Sequence, residues 1–182
     1  MGAVAGTADR EVADVLTSAV AGDEAAFRYL IRAYHEDMRR VCCYVTRDVA
    51  LAEEATQAAW SIAWRKVGTV RDPSRLRPWL VSVAVNEAKR MLRRRRRREH
   101  FEVIKETSDV PGGVDPASGV SGIDLRMALE HLDPDDRALL AMRYVAGFNS
   151  TELAEAIGIT PVGTRQRLKR LLDRLRQELA DD

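Results

Sequence analysis

Residues 74–98 constrain the fold more than any other stretch. They open S-R-L-R-P-W-L, continue V-S-V-A-V-N-E-A-K-R-M-L and close on six consecutive arginines. Apolar residues fall at Leu76, Trp79, Leu80, Val83, Ala84, Ala88, Met91 and Leu92. That three-and-four spacing puts them on one helical face. The segment is therefore predicted to pack into a core along most of its length and to leave it as a cationic rod. Residues 65–98 hold 13 Lys and Arg against 2 Asp and Glu, a net of +11 in a chain whose total is +1. Charge concentrated in this way calls for a polyanionic partner. A merely solvated face usually mixes both signs.

Elsewhere the balance differs. Residues 1–64 carry a net of −4, residues 99–136 a net of −8, and residues 137–182 a net of +2. With 46% hydrophobic but only 5% aromatic residues, the core is expected to be aliphatic. No run of alternating β-branched residues signals a strand. No apolar run approaches the ~18 residues of a membrane span, and the N-terminus lacks the pattern of a secretory signal. Cys42 and Cys43 are adjacent. Neighbouring Cα atoms lie ~3.8 Å apart, too close for ordinary disulfide geometry. No His or Cys stands at ligand spacing beside them, so no metal site is expected. Packing in a reducing cytoplasm is the reading for both.

The expected architecture is all-α, with two small helical domains joined by a flexible linker. Residues 1–98 form the first. A short helix is expected over residues 9–21, broken by Gly22, with Asp23 capping the next. That second helix shows Phe27, Leu30, Ile31, Tyr34, Met38, Val41 and Val45 on one face. Asp48 caps a third, whose stripe is Ala52, Ala55, Thr56, Ala59, Trp60, Ala63, Trp64 and Val67. Its other face carries Glu53, Glu54 and Gln57. Residues 99–122 read as an acidic linker rich in turn residues. Residues 123–182 form the second domain. Asp133-Pro134-Asp135-Asp136 is a strong helix start, running to Ala146. Ser150 is expected to cap T-E-L-A-E-A-I, Gly158 to end it, and Ile159-Thr160-Pro161 to open the last helix. A short helix, a tight Gly-containing turn and a longer helix make a helix-turn-helix. Ala154 and Gly158 are small where those helices cross. Leu168, Leu171, Leu172, Leu175 and Leu179 point inward. Arg165, Gln166, Arg167, Lys169 and Arg170 lie outward or at the flank, and Gln and Arg suit adenine and guanine edges.

Taken together, these residues resemble the extracytoplasmic-function (ECF) group of bacterial sigma factors. G-D-E-A-A-F-R-Y-L-I-R-A-Y is similar to the family's opening helices. L-A-E-E-A-T-Q-A-A-W-S-I-A-W-R is similar to the segment that docks on RNA polymerase. R-P-W-L-V-S-V-A-V-N-E-A-K-R-M-L-R-R is similar to the segment that recognises and melts the −10 element. A-L-E-H-L-D-P-D-D-R-A-L-L-A-M-R-Y-V-A-G-F-N-S-T-E-L-A-E-A-I-G-I-T is similar to the domain that reads the −35 element. The chain departs from the pattern in three places. Ala58 stands where the family usually has an acid. Val81, Ser82 and Val85 stand where Tyr or Arg is frequent. Gly163 in the last helix leaves the register of base contacts open by one residue.

The resemblance implies core RNA polymerase and promoter DNA as partners, with an anti-sigma factor as regulator, and a bacterial cytoplasmic location. Glu53, Glu54 and Gln57 are the expected polymerase face. Arg75, Arg77, Trp79, Asn86, Lys89, Arg90, Arg93 and Arg94 are expected on the −10 side, with loop 69–77 to capture a flipped base. Trp79 reads equally well as core. Thr164, Arg165, Gln166, Arg167, Lys169 and Arg170 are expected on the −35 side. Glu87 falls on the apolar stripe and is expected to find an Arg partner. No acid–base pair, nucleophile triad or phosphate loop appears. Neither catalysis nor a cofactor is expected, the chemistry belonging to polymerase. The rival reading is a stand-alone helix-turn-helix regulator, which leaves the Glu53, Glu54 and Gln57 face unexplained.

Overall fold

The computed structural model describes residues 3–102 and 132–178, which are helical with no strand. Among the described residues seven α-helices follow in order: α1 (Ala3–Val20), α2 (Glu24–Thr46), α3 (Val49–Lys66), α4 (Leu76–Glu102), α5 (Pro134–Leu140), α6 (Ser150–Ile157) and α7 (Pro161–Glu178). Residues 103–122 of the expected linker and Leu179 lie outside the described residues. So does the expected start of the second unit near Ile123.

Side-chain caps set the boundaries. Asp23 accepts the N–H groups of Ala25 (2.7 Å) and Ala26 (3.3 Å), and Asp48 accepts that of Leu51 (3.0 Å). Asp133 accepts those of Asp135 (2.8 Å) and Asp136 (2.9 Å), with Pro134 opening the helix. Each satisfies donors that the first helical turn leaves orphaned. Before α6 the cap is Asn149, not Ser150: Asn149 holds Thr151 and Glu152, and Glu152 returns a bond to its backbone. Asn also caps well, and Glu three residues on completes the reciprocal box. Gly158 ends α6 at φ +73, and a Cβ there would meet nothing within 4 Å. Its role is therefore the left-handed turn, not the close helix crossing expected of it.

α2, α3 and α4 pack against one another, α1 leans on α2, and α6 and α7 form the helix-turn-helix. The centre of the first domain is Leu30, Met38, Val41, Cys42 and Val45 of α2 against Ala52, Ala55, Ala59 and Ala63 of α3, with Leu76, Leu80, Ala84 and Ala88 of α4 completing it. Alanines on the facing sides of α3 and α4 let those helices approach closely. Val81 and Val85 are buried too, so the apolar arc of α4 is wider than a single stripe. Trp64 differs from expectation in the other direction. It is 43% exposed, its ring edge-on to Phe27 at 4.8 Å. α5 does not run as α-helix to Ala146. Residues Ala141–Val145 form a π turn closed by the Ala146 N–H to the Ala141 carbonyl. Cys42 is buried and Cys43 half-buried, both free thiols. Burial pushes the Cys42 thiol up to about 12, which leaves it uncharged and inert.

The two halves are not separate in this structure. One cluster of buried apolar residues runs from Leu16 through α2–α4 into Leu132, Leu139, Phe148 and Leu175. α5 and the π turn lie against α2, and α6 lies against α4.

Candidate nucleic-acid interface

The outer face of α3 carries Glu54 and Gln57 exposed, with Glu53 beside them half-buried. The Gln57 amide donates to Glu53 at 3.1 Å. Behind it, the Trp60 indole N–H donates to His35 Nδ1 (3.3 Å), and the far side of that ring lies 3.7 Å from the Glu53 carboxylate. The face expected to meet polymerase is therefore contiguous, polar and acidic.

The polar and cationic residues expected on the −10 side, from Arg75 through α4, divide into two groups. Asn86, Arg93, Arg94, Arg96, Arg97 and Arg98 are exposed. Arg95 turns back to Asp48 at 2.8 Å. There it joins the Leu51 N–H, the larger influence, in holding the Asp48 carboxyl below its usual range. Arg90 Nε reaches Glu87 at 2.8 Å, the arginine partner expected for that buried carboxylate. Trp79 is half-buried, packed against the core cluster. Loop 69–77 contains a short 3-10 turn, Pro73–Arg75, capped by Asp72 through the Ser74 N–H (3.0 Å) and hydroxyl (2.7 Å).

The second group points at the other domain. Arg75 pairs with Glu155 of α6. Arg77 donates through Nε to Asp37 (2.8 Å) and through Nη1 to the Ala146 carbonyl (2.8 Å). Lys89 meets Asp135 at 2.9 Å, and that bond holds the Asp135 carboxyl below its usual range. Coming the opposite way, Arg137 donates to the Val45 carbonyl (3.0 Å) at the end of α2 and to the Leu132 carbonyl (2.6 Å). Arg137 is buried, and burial is the main pressure against its charge.

On α7, Arg165, Gln166, Lys169 and Arg170 are exposed together. Two of the expected −35 residues are placed otherwise. Thr164 is fully buried, and its hydroxyl donates to the Thr160 carbonyl at 3.1 Å. Arg167 is half-buried and bound to Asp136 through Nε (3.2 Å) and Nη2 (2.8 Å). Arg174 meets the other Asp136 oxygen at 2.9 Å. Asp136 thus ties α7 to the start of α5. Neither Asp136, Arg137 nor Glu155 stood out as a partner in the sequence, because each contact spans 31 to 92 residues. Gly163 sits where an added Cβ would come within 3.2 Å of the Thr160 hydroxyl, which itself accepts the Gly163 N–H.

Fold and side chains together define a helical arrangement with a basic helix in one half and a helix-turn-helix in the other. Among the described residues no helix is long and apolar enough to cross a bilayer. Residues 30–98 match the family Sigma-70 region 2, and residues 123–175 match Sigma-70, region 4. The chain is 29% identical over 185 residues to the probable RNA polymerase sigma factor RfaY of Xanthomonas campestris. That alignment takes in 96% of this chain and 46% of the relative's length. The chain is also 29% identical to the RNA polymerase sigma factor CarQ of Myxococcus xanthus, covering 88% of this chain and 92% of that one. In fold it is similar to the sigma factor RpoE solved with the anti-sigma factor NepR from Bartonella quintana. The TM-score is 0.69 at 23% identity, over 86% of this chain and 98% of that one. The chain belongs to the ECF sigma factors, the group that directs RNA polymerase to promoters.

Proposed function

We propose a division of that work among the residues of this chain. The outer face of α3, Glu53, Glu54 and Gln57, docks on a cationic surface of core polymerase. Arg93 and Arg94 hold phosphates beside the −10 element, and Asn86 faces the same DNA. Arg75, Arg77, Lys89 and Arg90 join them once released from their protein partners, with Trp79 bracing the loop that receives an unstacked base. On the −35 side, Gln166 and Arg170 read base edges, flanked by Arg165 and Lys169. Thr164 and Arg167 support that helix from within. An anti-sigma factor belongs to the same reading, since the RpoE neighbour was solved bound to one. The protein acts in the bacterial cytoplasm and leaves the chemistry to polymerase.

The observation that supports this reading best is the exposed acidic face of α3 within the same domain as the cationic α4. Neither surface alone need find a promoter. Joining both to polymerase makes the second contact intramolecular. The test is run-off transcription with core polymerase, this protein and candidate promoter DNA. Glu54→Lys abolishes promoter-specific transcript and leaves helicity and binding to plain duplex intact. A protein that gives no transcript with core polymerase, yet binds one DNA sequence tightly without it, is a stand-alone regulator instead.

A further inference from the structure

Six consecutive arginines stand towards the end of α4, and a bare helix would carry them all around its axis. The contact of Arg95 breaks that symmetry. Leu80, Ala84 and Ala88 of α4 are buried, and Met91 and Leu92 pack on the core beyond them. Arg95 follows Met91 by four residues and Leu92 by three, so it continues the inward stripe to the rim of the core. There its Nη1 donates to Asp48 Oδ2 at 2.8 Å. Asp48 is a fixed post. Its Oδ1 accepts the Leu51 N–H at 3.0 Å as the cap of α3. Its own N–H donates to the Thr46 hydroxyl oxygen (3.2 Å), and its carbonyl accepts the Ala52 N–H (2.9 Å). Held through its backbone and one carboxylate oxygen, it offers the other oxygen to Arg95 in a set place.

We propose that Arg95 is a positioning residue: bound to Asp48, it locks the rotation of the arginine rod so that Arg93 and Arg97 form the ridge that meets DNA phosphates. The proposal rests on the assignment of this run to DNA beside the −10 element. At about 100° per residue, Arg93 and Arg97 each lie ~160° round the helix from Arg95. Both are exposed. They stand one turn apart, about 6 Å along the axis, so two charges face the same way. Arg94 and Arg96 fall on opposite flanks, about 100° from Arg95. The run is thus one pinned arginine, a two-arginine ridge and its flanks, not six equal charges. The same carboxylate starts α3, so the helix assigned to polymerase and the helix assigned to DNA share one fixed point.

The test is anisotropy titration of the full chain on a fluorescent mixed-sequence duplex over a range of salt. Each phosphate contact contributes ~0.9 to the slope of log K against log salt. Arg97→Ala should therefore lower the slope by about 0.9. Arg95→Ala removes the same charge, yet should change the slope less than a third as much. The Arg95 and Asp48 side chains are 40% and 34% exposed. Loss of so exposed a pair should weaken binding at fixed salt about two- to threefold. Arg95→Lys keeps a cation within reach of Asp48 and should restore binding.

Asp48→Asn separates the lock from a plain charge effect, because Asn keeps the cap of α3. This variant is more positive than wild type. If Arg95 were one more phosphate contact held back by Asp48, binding would tighten. The lock requires binding weakened as far as in Arg95→Ala, with the double variant no weaker than either single one. Arg95→Lys and Asp48→Asn keep both helix ends formed, so the test does not hang on Arg95→Ala alone. Tighter binding by Asp48→Asn, or a slope lowered as much by Arg95→Ala as by Arg97→Ala, overturns the lock and leaves the run on DNA. If Arg93→Ala, Arg94→Ala and Arg97→Ala all leave the slope unchanged, the assignment of the run to phosphates fails, and the lock fails with it.

Discussion

Asp136 is the residue whose removal tests the architecture of the second domain most sharply. It is 9% exposed and receives Arg167 and Arg174 on its two carboxylate oxygens. Asp136→Ala leaves both guanidinium groups without that partner. Stripping one partner from a fully buried pair costs about 3–5 kcal/mol. Here the arginine side chains are 36% and 51% exposed, so water recovers much of the loss. Exposed pairs are worth roughly 0.2–1 kcal/mol each. The expected cost lies between these limits, about 2 kcal/mol. For a cooperative unit the size of the whole 182-residue chain that is ~4–8 °C in Tm. A double-mutant cycle with Arg174→Ala should return a coupling of about 1 kcal/mol. Effects additive within ~0.3 kcal/mol would refute the network. DNA binding gives a second, sign-opposed readout. The substitution makes the protein more positive, so bulk electrostatics alone predicts tighter binding. If Asp136 aligns the DNA-reading helix, binding to the −35 element weakens instead.

Three further outcomes are expected. Asn caps a helix as well as Asp, so Asp48→Asn isolates the charge that faces Arg95. The Asp48 carboxyl is held below its usual range, so its contribution is fully present above the unfolded value of ~3.9 and is lost as pH falls through the folded value. Urea unfolding should favour wild type by about 0.5 kcal/mol at pH 7, with the gap closing below about pH 4, and a gap independent of pH refutes this. Gly158→Ala should destabilise by about 1 kcal/mol through its φ of +73 alone, because the added methyl meets nothing. An unchanged urea midpoint counts against it. Gln166→Ala with Arg170→Ala should weaken the upstream footprint, Arg170 contributing ~1–3 kcal/mol at one base pair if it binds bidentately. An unchanged footprint removes both from the reading face.

The features legible in the sequence were those governed by local rules. Asp23, Asp48 and Asp133 cap their helices as the spacing predicts, and Arg90 answers Glu87 one turn away. Asn149 was legible too, through Glu152 three residues on, but Ser150 beside it is an equally good cap type and drew the assignment. Val81 and Val85 show where periodicity fails. A helix covered by two neighbours buries a wide arc, and a one-stripe reading assigns its edges to solvent. Trp64 errs in the opposite sense. Its position satisfies the stripe, and Val67 one turn on is buried, yet the Trp64 ring stays 43% exposed and lies edge-on to Phe27.

What the sequence could not reveal is the use to which each cation is put. A guanidinium that suits a phosphate suits a carboxylate or a helix-end carbonyl for the same reasons of charge and donor geometry. Arg75 and Arg94 look alike in one dimension, yet one meets Glu155 and the other is exposed. Only the packing of α5 and α6 onto α2 and α4 separates them.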